Sequence, residues 1–445
     1  MEAKILGYSQ DDLKNLSIDI LNQSKKYGAE QAELDISLSS GKTISVRNQE
    51  TETIESNNDK NLTLTLFKDK KRSIVSSSDF SKKTIENLVE KSISMLSSTE
   101  SDEHFGLADK KFHPKCEKNV DIFYPQDLSF EEIIDLAKEA EISALDFDPL
   151  ISNSEGASFS ESSSTFVYAN SNGFIGGFPG TRFSLSCSVI AGKDGSMQRS
   201  YDYSNARDFK DLKDRASVGI QAARNARDRL NPSKIKTGNY PVIFHNTISD
   251  VLISSLLSAI SGRNLYRQNS FLMESLGKKI ASDKLNIIED PFLSKGHAST
   301  YFDDEGVEVF ENKLINKGML EHYLLSSYSG RKLNLKTTGN AGGTHNLIID
   351  HHNISLDDMI SQIESGLLIT ELLGHGINMV NGDFSRGASG FYIKNGKVHH
   401  SVEEISIAGN MKQILLDIEM IANDININSS KYIGSVLIKN LSVGS

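Results

Sequence analysis

The sequence predicts an α+β fold in three units, and three observations point that way. Apolar residues switch from three-and-four spacing to alternation and back within the first hundred positions. A polar stretch without periodicity follows, and beyond residue 235 glycines punctuate a run of alternating segments. The units are an N-terminal helix and antiparallel-sheet unit over 1–97, a middle α/β segment over 120–231, and a C-terminal glycine-rich, β-rich domain over 235–445.

The first unit opens on a helix with Ser9 as N-cap, Leu13, Leu16, Ile20 and Leu21 on one face, and Gly28 as its stop. Ala32, Leu34, Ile36 and Leu38 then alternate with polar residues, and Ser40-Gly41 is read as a turn before Ile44 and Val46 resume the pattern. Leu62, Leu64 and Leu66 form a further strand, joined to Ile74-Val75 through a basic turn at Lys68, Lys70, Lys71 and Arg72. Ile85, Leu88, Val89, Ser92, Ile93 and Leu96 lie on one face of a second helix.

Residues 97–119 read as a linker. The second unit starts with a capping box, Ser129 with Glu132, ahead of Ile133, Leu136, Ala137 and Ala140. Short strands are predicted around Phe166-Val167-Tyr168 and over 183–189, with Asn172-Gly173 as a type I′ hairpin turn. A long helix is expected over 208–230, stopped by Asn231-Pro232. In the third unit, 240–244 reads as a buried strand, 247–261 as a helix capped by Thr247, and 401–407 and 435–438 as sheet.

Composition narrows the function classes. A net charge of −11 repels a phosphate backbone, so DNA would need a local basic patch, and the densest basic run reads as a solvated turn. No apolar run reaches the ~18 residues of a membrane span, and the first eight residues lack the basic start and apolar core of a signal peptide. Two distant cysteines, Cys116 and Cys187, fit free thiols in a reducing compartment. These features point to a cytoplasmic protein that binds neither nucleic acid nor membrane directly.

Catalytic chemistry is hard to find. None of the 11 histidines is followed by Glu, as a helical zinc-protease motif requires. The nearest imitation, Glu371-Leu372-Leu373-Gly374-His375, reverses the order and carries a glycine. His351-His352 and His399-His400 are adjacent pairs, and adjacent strand residues face opposite ways, which argues against chelation. Cys187 sits in an alternating strand and reads as a buried apolar side chain, and no nucleophile elbow or phosphate loop is present.

Several blocks in the third unit nevertheless speak together. Residues 289–291 (EDP) with 298–306 (ASTYFDDEG), 326–335 (SSYSGRKLNL), 337–343 (TTGNAGG), 382–392 (GDFSRGASGFY), 404–410 (EISIAGN) and 434–437 (GSVL) resemble, in order, signatures of the TldD/PmbA family. That resemblance implies a C-terminal domain on a curved mixed sheet. It also implies a heterodimer of two homologous chains and zinc-dependent cleavage of unfolded peptides. In the TldD branch, the helix after the strand matching 240–244 carries two histidines with a Glu after the first, and a distant Cys completes the zinc site. Here that helix reads LISSLLSAIS over 252–261. The chain therefore resembles the PmbA (TldE) branch, expected to be metal-free and without catalytic residues of its own, with zinc in a TldD-like partner. The alternative is a regulatory binding protein acting on DNA gyrase or a toxin–antitoxin target without proteolysis. A metal-free homodimer with its own hydrolase chemistry is a third reading. Within the signature, Arg386 is the one candidate substrate-binding residue: its forked guanidinium suits a peptide carbonyl or carboxylate. An internal ion pair with Asp383 is the equal alternative.

Overall fold

The computed structural model describes residues 4–193 and 195–445. In its N-terminal half the helices α1 (Gln10–Lys26), α2 (Lys82–Leu96), α3 (Phe130–Leu145) and α4 (Arg215–Asp228) accompany six strands. These are β1 (Gln31–Arg47), β2 (Glu50–Lys68), β3 (Lys71–Ser77), β4 (Ile151–Asn170), β5 (Ile175–Ala191) and β6 (Gln198–Ala206). All six form one antiparallel sheet in the order β3-β2-β1-β4-β5-β6. The pairing of β1 with β4, from Glu33 opposite Asn170 to Val46 opposite Ala157, runs the first two sequence units into a single sheet.

The alternation assigns the faces. Leu34, Ile36, Leu62 and Leu64 pack against Leu13, Ile20, Ile85 and Val89 of α1 and α2. Ile44, Phe159 and Leu185 pack against Ile133, Ala137, Ala140 and Val218 of α3 and α4. The helix starts are as the sequence indicates: Ser9 with Asp12, and Ser129 with Glu132, form reciprocal capping boxes.

The local readings need correction at several points. Ser40-Gly41 is not a turn, because β1 runs straight through it. Gly41 is there because a Cβ would stand 2.6 Å from the Glu161 carbonyl oxygen on the adjacent β4. The real turn is Asn48-Gln49, both at positive φ, whose amides donate to the buried Glu141 carboxylate of α3 at 2.8 and 2.7 Å. At Asn172-Gly173 the hairpin exists, but only Gly173 has positive φ, and the Gly173 amide donates to Asn170 O. This is a longer loop of the glycine-bulge kind instead of a two-residue turn. The predicted short strands are long, spanning 151–170 and 175–191, since their polar serines lie on the open face and do not end the ladder. The helix expected from 208 begins at Arg215, capped by Asp214, after a short 3-10 turn.

The C-terminal domain holds β7 (Gly238–Phe244), α5 (Asp250–Ala259), β8 (Ile287–Asp290), β9 (Asn312–Asn316), β10 (Met319–Leu320) and β11 (Asn346–Ile349). Beyond these come β12 (Ser365–Leu373), β13 (Asp383–Lys394), β14 (Lys397–Asn410), β15 (Ile418–Ile421), β16 (Lys431–Tyr432) and β17 (Val436–Gly444). One mixed sheet runs β10-β9-β8-β11-β16. The other runs β14-β13-β12-β7-β17-β15, and β14 pairs also with β17, so five strands close into a ring. α5 starts later than read: Thr247 caps nothing, and its hydroxyl meets His245 Nδ1 at 2.9 Å.

Two features fasten the halves together. Arg331 donates to the carbonyls of His104, Gly106 and Leu107, and Lys332 pairs with Asp102 at 2.8 Å, so the irregular 97–119 stretch is clasped against the C-terminal domain. Phe166, Tyr168 and Phe178 of the first sheet, with Phe174 of the loop between β4 and β5, pack on Tyr301 and Phe302. Among the described residues no helix is long and apolar enough to cross a membrane.

Candidate functional site

The signature strand β13 alternates over its first residues and is interrupted by a bulge after Ala388, where Ala388, Ser389 and Gly390 are all buried. Phe384 and Ala388 are buried in the main C-terminal core, and Arg386 lies between them, half-buried, opposite Ile407 of β14. The segment before β13 passes close by. A Cβ on Gly376 would stand 1.6 Å from Ser385 O and 2.8 Å from Arg386 Cγ, so only glycine lets the chain cross there. The internal ion pair offered as the alternative for Arg386 does not form. Asp383 is taken up by the side-chain amides of Asn381 at 2.6 Å and Asn410 at 3.1 Å. Arg386 makes no salt bridge among the described residues, and its buried Nε–H has no acceptor. A guanidinium donor held in protein with nothing to donate to is costly unless a ligand supplies the acceptor.

The neighbouring helix α5 is apolar. Leu252, Ile253, Leu256 and Leu257 are buried in the same core as Phe384. Ser255 is buried too and donates its hydroxyl back to Val251 O at 2.6 Å, so it is satisfied within its own helix.

Two other signature blocks meet elsewhere, at the seam between the halves. Residues from 298–304 and 341–345 form one wall of a cavity of about 250 Å³, and Asp35, Phe166, Tyr168 and Phe178 of the first sheet form the other. Burial pushes the Asp35 carboxyl up to about 7, with the Asp304 charge adding to it. Burial likewise raises Asp303 to about 7, although its oxygens accept from the amides of Glu305, Val307 and Ala341. Glu33, which accepts from Tyr168 Oη at 2.9 Å, is also raised to about 7 by burial. His345, only 7% exposed, has its Nδ1 2.8 Å from Glu289 Oε1. Of these residues, sequence reasoning singles out only His345, as a fallback zinc ligand with His375 should the chain hold a zinc, and His375 lies elsewhere, exposed after β12. Asp35 in particular reads as an ordinary polar residue of an alternating strand.

The remaining candidates stand apart. His399 and His400 do not face opposite ways. A bulge in β14 pairs Tyr392 with His400 and Ile393 with Val398, and the extra residue brings the two Nδ1 atoms to 2.8 Å. His351 and His352 lie outside any strand, and His352 Nδ1 meets the backbone of Ile421. Glu371 is on β12 and pairs with Arg229, while His375 is exposed in the turn that follows. Cys187 is buried, its thiol pushed up to about 12, and Cys116 is exposed. Among the described residues no three His, Cys, Asp or Glu side chains come together as a metal would require.

Profiles described as PmbA/TldA metallopeptidase domain 1, central domain and C-terminal domain match residues 32–96, 123–230 and 237–445. The chain belongs to the PmbA/TldD metallopeptidase family. It is 40% identical over 412 residues to the metalloprotease PmbA of Escherichia coli O157:H7, covering 93% of this chain and 92% of that one. A PmbA homologue from Haemophilus influenzae is 37% identical over 440 residues, 99% of this chain and 97% of its own length. Among solved structures, a Bacteroides thetaiotaomicron protein named as a candidate modulator of DNA gyrase superposes with TM-score 0.93 at 27% identity, covering 98% and 99% of the two chains. TldE from Thermococcus kodakarensis shares the fold, with TM-score 0.83 at 21% identity over 97% of this chain and 100% of that one. The family is named for a metal-dependent activity, yet the buried face of α5 offers a metal no donors: its buried positions are Leu, Ile, Ala and one self-bonded Ser, and the one carboxylate, Asp250 in the first turn, pairs with Lys431 at 3.6 Å. Zinc does not fit the helix.

Proposed function

We propose that this chain is the metal-free, non-catalytic subunit of a cytoplasmic TldD/TldE-type heterodimeric zinc protease that processes unfolded peptides. The supporting observation is α5, the helix on which the resemblance would place zinc ligands, whose side chains are instead packed in the core. Membership of the metallopeptidase family and likeness to PmbA and TldE proteins support the branch. Zinc and its general base then come from the partner, and this chain contributes binding groups. Arg386 is the group best prepared for that, since a carbonyl or terminal carboxylate of a peptide would satisfy its free Nε–H.

The test is reconstitution. The chain alone is expected to leave an unstructured peptide intact, and a mixture with a zinc-bearing TldD-type homologue is expected to cut it and to stop on chelation. Chelator-insensitive cleavage by the chain alone would overturn the proposal. A stable complex with gyrase and no cleavage in any mixture would favour the regulatory alternative.

A further inference from the structure

The seam cavity carries two carboxyl groups without partners. Asp35 comes from the first sheet and Asp304 from the C-terminal domain, and both line the same space. Neither carboxylate accepts a hydrogen bond or joins a salt bridge with Lys, Arg or His among the described residues, whereas the third carboxylate, Asp303, is fully used by backbone amides. Burial raises Asp35 and Asp304 above the usual carboxylate range, with the Asp304 charge adding at Asp35 and the Glu305 charge adding at Asp304 against a smaller opposing effect of His345. The floor between them is aromatic. Phe302 lies 5.8 Å from Phe166 and 6.1 Å from Phe178, ring centre to ring centre, and Phe166 and Phe178 are only half-buried. His345 closes the far end, nine-tenths buried. Glu289 holds its Nδ1, and Nε2 has no protein partner among the described residues.

A metal is a poor match, because no three ligating side chains converge there among the described residues. An organic cation matches each wall. Its charge would neutralise the carboxylates, and its weakly hydrated flank would lie on the ring faces. The volume of about 250 Å³ suits a side-chain-sized group and falls below the roughly 300–1,000 Å³ of pockets for whole cofactors.

We propose that this cavity binds an alkylammonium or guanidinium group, held between the Asp35 and Asp304 carboxylates over the rings of Phe166, Phe178 and Phe302. The group could be carried by a Lys or Arg side chain of a peptide or by a free polyamine. The peptide source rests on the function proposed above, and the cation chemistry does not.

Binding to this chain alone tests the idea, so its failure is distinct from failure of cleavage by the mixture. The chain contains no Trp, so a peptide that carries one reports binding through its own fluorescence anisotropy. The probes are an N-acetylated hexapeptide with Trp and Lys, its twin with norleucine for Lys, and spermidine as competitor and as direct calorimetric ligand. The Lys peptide is expected to bind at least tenfold more tightly than the norleucine twin. Asp304→Asn, at an exposed position, and Asp35→Asn are each expected to weaken it about tenfold without lowering the melting temperature. Spermidine binding that both substitutions weaken, with little preference between the peptides, would assign the site to free polyamines. Equal binding of the twins with no spermidine binding would overturn the proposal. So would cation binding that neither substitution changes, or Mg²⁺ binding lost in Asp304→Asn in place of organic-cation binding.

Discussion

Two regions of the C-terminal domain carry family signatures, and they are built in opposite ways. Around α5 every buried polar group has been removed or satisfied internally: Leu252, Ile253, Leu256 and Leu257 fill the space and Ser255 bonds to its own helix. At the seam, Asp35 and Asp304 line one cavity from its two walls, with no ion-pair partner among the described residues, beside half-buried rings. The first arrangement maximises stability, because apolar burial contributes and no charge is desolvated. The second gives stability up, because unpaired carboxylates in a cleft are held away from their preferred ionised state. Substitutions should therefore have opposite signs in the two places.

The largest effect is expected in α5. Leu256→Ala should destabilise the chain by about 2–5 kcal/mol, the range for emptying a packed core position, and denaturant melts would measure it. A loss below about 1 kcal/mol would mean that the helix is loosely packed and has room for something else.

Arg386 comes next. Its guanidinium has no internal partner for Nε, so Arg386→Lys should leave melting of the isolated chain unchanged. Cleavage by the reconstituted mixture should fall on the order of ten- to a hundredfold, the equivalent of one charge-assisted hydrogen bond of roughly 1.5–3 kcal/mol. A lowered melting temperature with full activity would make Arg386 structural after all.

The smallest effect, with the opposite sign, belongs to the seam. Folding raises Asp35, Asp303 and Glu33 to about 7, so between their unfolded values near 4 and pH 7 the folded chain binds more protons. Their contribution to stability is present below about pH 4 and is lost as pH rises through about 7. Asp35→Asn should flatten that slope and raise Tm at pH 8, by about 2–4 °C for each 1 kcal/mol of repulsion relieved. A lowered Tm at pH 8 would show that Asp35 has a stabilising partner.

These regions also differ in how far the sequence exposes them. Helix caps at Ser9 and Ser129 and the alternation of β1 are written in neighbouring residues, and the structure follows them. The role of Gly41 is not, because a turn glycine and a close-approach glycine differ only through Glu161, far along the chain. The Asn48-Gln49 turn was hidden for the same reason, since Glu141 holds it from α3. Arg386 was legible from its motif. Its freedom from Asp383 depends on Asn381 and Asn410, one of them on another strand. The seam cavity was invisible because its carboxylates arrive from two domains, and neither position departs from the polarity its own strand or loop would have.

Metal analysis of the isolated chain after exhaustive dialysis decides whether this chain brings zinc to the assembly. A zinc content well below one per chain is expected, unchanged by Leu256→Ala or by substitution of the His399-His400 pair. One tightly held zinc per chain, lost when His345, His375 or that pair is replaced, would contradict it.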